Sequence, residues 1–183
     1  HGAANVDAIS VGNATLFLQR AKRKIRELAY NFDVDGYIAP DLTILAEHIT
    51  EGNVVEMAYQ EEPLAIIWCV RGDGQLIALT YQREQEVVAW HRHIIGGSFG
   101  TGNAVVESVA VIPTEDSEYE LYVVVKRTIN NITRRYVEYL HTFNFTETDN
   151  TSFNYLDSQL SLSKLQTTLT AGINATATTV PVA

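Results

Sequence analysis

Ile66-Ile67-Trp68-Cys69-Val70-Arg71-Gly72-Asp73-Gly74-Gln75-Leu76-Ile77-Ala78-Leu79-Thr80-Tyr81 decides the fold class. Its first five residues are apolar without a break, the pattern of a strand covered on both faces. Asp73-Gly74 then supplies a residue pair suited to the positive φ of a tight hairpin. The run from Gln75 to Tyr81 alternates more, as expected of a strand with one face toward water. The stretch therefore reads as strand, turn, strand.

The same pattern lies on either side. Val54-Val55-Glu56-Met57-Ala58-Tyr59 precedes it, and Glu86-Val87-Val88-Ala89-Trp90-His91-Arg92-His93-Ile94 follows it, making four strands. An earlier unit runs Val6 to Val11, Ala14 to Gln19, then Lys24 to Tyr30. A later one runs Val105 to Val111, Glu120 to Val125, then Arg134 to Leu140, with Asn130-Asn131 as its hairpin turn. Phe17 to Trp68 and Tyr30 to Tyr81 are each 51 residues apart, and Trp68 to Tyr122 is 54. A period near fifty residues, with four antiparallel strands per unit, is that of β-propeller blades. In the first unit the fourth strand reads as replaced. Asp33 to Tyr37 reads as a loop. Pro40 to Ile49 reads as a helix with Asp41 as N-cap and Leu42, Leu45, Ala46 and Ile49 as its apolar stripe.

The expected fold is mainly β, a partial β-propeller of antiparallel blades with one short helix. Residues 1–141 form the blade region, with units near 6–50, 54–97 and 105–141. Residues 142–183 read as a linker and the start of a further β segment, because composition shifts there to Thr, Asn, Ser and Leu. Three blades do not close a propeller, so the chain reads as a fragment whose remaining blades lie elsewhere in a longer protein.

Composition narrows the function. The chain has 183 residues, 46% hydrophobic and 19% charged, which is globular. Its net charge is −9 and its pI about 4.9, so it lacks the basic balance of a general nucleic-acid binder. The basic run Arg20, Lys22, Arg23, Lys24 and Arg26 is short and falls at an expected turn. An acidic wall is still compatible with a conduit along which DNA slides without sticking. The single cysteine, Cys69, lies in the most apolar strand and reads as a buried thiol. No apolar run approaches the roughly 18 residues needed to span a bilayer. The N-terminal stretch carries no signal-peptide pattern. Five Asn-x-Ser/Thr sequons, at Asn13, Asn131, Asn144, Asn150 and Asn174, carry little weight in a chain rich in Asn and Thr.

Several residues invite a chemical reading. His91 and His93 share one strand face at a spacing that can chelate a metal, but they lack a cysteine or further histidine beside them. Packing or a hydrogen bond at a subunit edge is the expected role. Asp33, Asp35 and Gly36 resemble part of a calcium loop, yet Tyr37, Ala39 and Asp41 do not complete it. Glu84 and Glu86 could be paired acids, but they flank Arg83 in a strand connection and read as a solvated charged face. Ser98 in Gly96-Gly97-Ser98-Phe99-Gly100 lacks the nucleophile-elbow pattern, and no Gly-Lys-Ser/Thr follows to make a phosphate loop. That stretch reads as a flexible connection. Arg71-Gly72-Asp73 reads as a plain turn. No catalytic, cofactor-binding or metal-binding residue is assigned, and the chain is not expected to be an enzyme.

Pro40 to Ile49, Trp68 to Leu76 with Leu79-Thr80-Tyr81, Arg83-Glu84-Gln85-Glu86-Val87 with Ala89 to His93, Val106 to Pro113, and Arg134 to Glu138 carry a resemblance. In this order they resemble motifs of the tail nozzle, or tail tubular, proteins of short-tailed bacteriophages. The segment after Leu165 is similar to the start of the small ubiquitin-activating-enzyme-like domain labelled in many of them. The resemblance covers roughly residues 14–140. It implies a β-propeller module in a homo-oligomeric ring, usually a hexamer, stacked on portal and adaptor proteins. Such a ring is a virion component made in the host cytoplasm, and it passes DNA without binding it specifically. It implies no catalytic residues and no cofactor. A carbohydrate-binding or host-adhesion β module of a tail fibre is the alternative, and a propeller glycosidase a third.

Overall fold

The computed structural model describes residues 2–115 and 118–140. The expected linker and β segment at 142–183, and the sequons at Asn144, Asn150 and Asn174, lie outside the described residues. Three antiparallel sheets follow one another along the chain. The first has the order β1 (Ile9–Val11), β2 (Ala14–Leu18), β3 (Ile25–Asn31), β4 (Gly36–Ile38). The second is β5 (Val54–Gln60), β6 (Ile66–Arg71), β7 (Leu76–Gln82), β8 (Val87–His93). The third is β11 (Val105–Pro113), β12 (Tyr119–Ile129), β13 (Ile132–Leu140). A small ribbon, β9 (Ser98–Phe99) with β10 (Gly102–Asn103), joins the second sheet to the third. Neighbours within each sheet are neighbours in sequence, and among the described residues no sheet closes on itself.

The two inner strands of the second sheet, β6 and β7, are buried on both faces, so β7 does not keep the one wet face that its alternation suggested. Met57, Ile67, Cys69, Ile77 and Leu79 pack against Leu16, Leu18 and Ile25 of the first sheet. Trp68, Val70, Leu76 and Ala78 point the other way, against Val106, Val109, Leu121, Val123 and Val125 of the third. This accounts for the unbroken apolar run in β6, since each alternate residue has a core to enter. Fully burying one such side chain stabilises the fold by roughly 1.5–3 kcal/mol.

The fifty-residue period is expressed as geometry. The amide of Val54, opening β5, donates to the carbonyl of Lys22 in the β2–β3 turn at 2.7 Å. The amide of Val106, near the start of β11, donates to Gly74 in the β6–β7 turn at 2.8 Å. Both acceptors are left-handed, φ 59° at Lys22 and 83° at Gly74. Donors and acceptors are each 52 positions apart. A register break also recurs at this spacing, between Val54 and Glu56 and between Val106 and Ser108.

This latch corrects the alignment by one residue at the middle strand. Leu16, not Phe17, corresponds to Trp68, and Phe17 lies on the outer face of the first sheet. Tyr30 and Tyr81 do correspond at 51. The shift arises in the turn: Leu18 pairs with Ile25 across six residues, whereas Val70 pairs with Leu76 across five. The expected turns at Asp73-Gly74 and Asn130-Asn131 are present, with φ 50° and 61° at the two asparagines.

Two expectations for the first unit are corrected. Its fourth strand is not replaced: β4 pairs with β3, Tyr30 opposite Tyr37. Pro40, which has no amide hydrogen, breaks the strand. Pairing then resumes as Asp41 bridges Arg26 and the Leu42 amide donates to Ile25 at 2.9 Å. The Arg26 guanidinium bonds the Ala39 carbonyl at the break. The expected helix over Pro40 to Ile49 shrinks to α1, Glu47–Thr50. Asp41 is not its N-cap. Its carboxylate accepts from the Thr43 amide at 2.8 Å and hydroxyl at 2.5 Å, a local turn that competes with helix initiation. Ala46 and Ile49 enter the first core, but Leu45 is 92% exposed, so the stripe is broken.

Gly74 tests the latch. A Cβ there would lie 2.3 Å from Val105 Cγ1 on a left-handed backbone, whereas at Gly12, also left-handed, it meets nothing within 4 Å. Urea unfolding should show Gly74→Ala losing about 2 kcal/mol or more and Gly12→Ala about 1 kcal/mol. Equal losses would show that the turn does not press on the third sheet.

Candidate functional site

The residues with the most chemistry are held in structural partnerships. On β8, Nδ1 of His91 lies 2.7 Å from Nε2 of His93, and Nε2 of His91 lies 3.0 Å from the Thr80 hydroxyl. Both rings stand beside Trp68, at centroid distances of 6.3 and 5.0 Å. The pair's hydrogen bonds run within it and to Thr80 of the same chain. Burial lowers the pKa of His91. Burial first, and His91 second, take His93 down to about 4. Among the described residues no group of three His, Cys, Asp or Glu side chains is placed to hold a metal ion.

The other candidates are scattered. Asp33 and Asp35 sit in the β3–β4 turn, where Asn31 Oδ1 accepts from the Asp33 amide at 2.8 Å and Tyr30 donates its hydroxyl to Asp35. Glu84 lies in a single 3-10 turn, Arg83–Gln85, and Glu86 follows it with φ 56°. Arg83 turns away from both to pair with buried Glu27 at 2.8 Å. Ser98 pairs with Asn103 in the β9–β10 ribbon. That stretch is not a bare connection. Phe99 lies 4.2 Å beneath the Lys126 ammonium, and Gly97 accepts from the Ala104 amide at 3.0 Å.

Arg71 of the Arg-Gly-Asp triplet is buried. Its guanidinium bonds the Ile49 carbonyl at 2.9 Å, Gln75 at 3.0 Å and the Asp73 carboxylate. It clamps α1 to the turn, and Gly52 leaves room for it, since a Cβ there would sit 2.4 Å from Arg71 Nε. In the basic run, Lys24 pairs with Asp41 at 2.9 Å and Glu47 at 2.8 Å. Cys69 is fully buried, and burial alone raises its thiol far above the ordinary range. Asn13 accepts from Arg83, and Asn131 is exposed at a hairpin tip.

Sequence reasoning missed the surfaces at the two ends of the stack. On the first sheet Phe17, Leu28, Tyr30 and Tyr37 share the outer face, with Tyr30 5.6 Å from Tyr37 and 5.0 Å from Phe32. Phe32 is 89% exposed and Tyr37 74%. On the third sheet Tyr122 pairs with Tyr139 and Val124 with Val137, on the face opposite the core. The signal was available: apolar residues alternate through both strands, so a second face was apolar too. A half-open cavity of about 310 Å³ lies elsewhere, lined by Asp73, Gln75, His93, Phe99 and Asn103 among others.

No family model and no curated protein matches the chain.

The histidine pair carries a pH dependence. His93 titrates near 6.5 when unfolded and about 4 when folded, so the unfolded chain binds the extra proton between these values. Stability is complete above pH 6.5 and falls as pH drops toward 4, by on the order of 1–2 kcal/mol after screening of a partly exposed ring. His93→Gln should flatten that part of a stability-against-pH curve measured by urea unfolding. An unchanged slope would remove His93 as its source.

Proposed function

We propose that the chain is a non-catalytic structural module, a partial β-propeller of a short-tailed phage tail nozzle, forming part of a DNA-ejection conduit. The observation that carries the propeller reading is the stack itself. Successive four-stranded or three-stranded sheets pack face to face, linked by the same latch at a 52-residue interval. Their first strands lie side by side: Ser108 on β11 donates to Glu56 on β5 at 3.0 Å. That is how blades meet around an axis.

The motif resemblance supports the phage assignment, with a homo-oligomeric ring, portal and adaptor proteins as partners, and the virion tail as location. The structural employment of Arg71, His91, His93 and Glu27 supports the non-catalytic reading. The acidic composition suits a wall past which DNA slides. Electron microscopy of the chain with portal and adaptor proteins should show a ring with an axial channel. Monomers alone, or a channel lined with Lys and Arg, would overturn it.

One observation favours a second reading, a carbohydrate-binding or adhesion module. The aromatic group Tyr30, Phe32 and Tyr37 stands in solvent beside Asp33 and Asp35. On a glycan array this reading expects saturable binding that Phe32→Ala or Tyr37→Ala abolishes. Absence of binding to any glycan would dismiss it.

A further inference from the structure

Among the described residues, the two outer faces of the stack are unmatched halves of interfaces that the chain already makes twice. Each sheet presents one face backward along the chain and one forward. The forward face of the first sheet meets the backward face of the second, and the forward face of the second meets the backward face of the third. Among the described residues, what remains is the backward face of the first sheet and the forward face of the third. The repeat gives their equivalents. Leu28 and Tyr30 stand where Leu79 and Tyr81 stand in the second sheet, and both of those are buried. Tyr122 and Val124 stand where Trp68 and Val70 stand, buried likewise. Leu28, Tyr30 and Tyr37 are instead 39%, 41% and 74% exposed, and Val137 is 75% exposed. The hairpin Asn130-Asn131, at the position of the two latching turns, is exposed at the forward end.

We propose that these faces bind each other between two copies of the chain, head to tail. The forward face of the third sheet in each copy covers the backward face of the first sheet in the other. Copy-to-copy contact continues the established sheet-to-sheet rule without inventing a new one. It also closes: three sheets per copy give six in the pair, within the roughly four to eight blades that complete a propeller. The two contacts are then equivalent by two-fold symmetry and no apolar face is left to recruit further copies. This inference rests on the blade reading above.

Light scattering of the purified 183-residue chain tests it. The expected mass is that of two copies. Leu28→Glu and Val137→Glu each place a charge in a face that must lose water, so each should weaken the pair by roughly tenfold or more. Mixing the two variants should restore part of the pairing, since one of the two contacts is then wild type on both sides. A monomer at high micromolar concentration overturns the proposal. So does a pair that Val137→Glu disrupts and Leu28→Glu does not, because like faces would then be meeting. Circular dichroism of each variant confirms that it is folded. The underlying blade reading fails differently: images of a pair whose six sheets form an open stack keep the contact and sink the propeller.

Discussion

Everything in this fold depends on one sheet having two dry faces. β6 supplies Trp68 and Val70 to one core and Ile67 and Cys69 to the other, so neither flanking sheet can be removed without exposing half of it. The first and third sheets have one dry face each, and their strands alternate accordingly: buried Ala14, Leu16 and Leu18 in β2, buried Leu121, Val123 and Val125 in β12. Order along the chain is also order in space, since sheets consecutive in sequence pack as neighbours. The two latches then fix how far each sheet rotates on the one before it, since a backbone hydrogen bond at the tip of a hairpin allows little sliding.

Much of this was legible because strand burial writes itself into sequence at period two. The unbroken run at 66–70 identified a strand between two cores, and Asp73-Gly74 and Asn130-Asn131 identified hairpins through their tolerance of positive φ. The error at Phe17 shows the limit of the same signal. One additional residue in the β2–β3 turn shifts the middle strand against the third, and a one-residue slip exchanges the two faces of a strand. The 51-residue step from Tyr30 to Tyr81, carried over to the middle strand, matched Phe17 to Trp68. The hydrogen bond from Val54 to Lys22, which sequence does not display, shows that Leu16 does.

The first unit was misread for a related reason. Leu42, Leu45, Ala46 and Ile49 have helical spacing, but spacing is only one of several local forces. Asp41 satisfies its carboxylate with Thr43 and Lys24, and Leu42 spends its amide on Ile25 in β3. Tertiary pairing along the sheet edge outcompetes the first two turns of a helix whose isolated stability is marginal at that length.

The candidate site was the least legible part, because the residue types that signal chemistry also hold the sheets together. Histidine, arginine and carboxylate pairs recur here as fasteners: His91 to His93 across a strand face, Arg71 from turn to α1, Arg83 from the second sheet to Glu27 of the first. Each could be nominated from sequence, and each proves to be engaged. The outer faces also carry exposed apolar residues, Leu28, Tyr30, Tyr37 and Val137, and sequence patterning classes such residues as core. A stacked-sheet module therefore conceals its interaction surface in the same alphabet as its interior. The distinction is made only by position in the stack: an apolar face between two sheets is a core, and the same face at the end of the series is an interface.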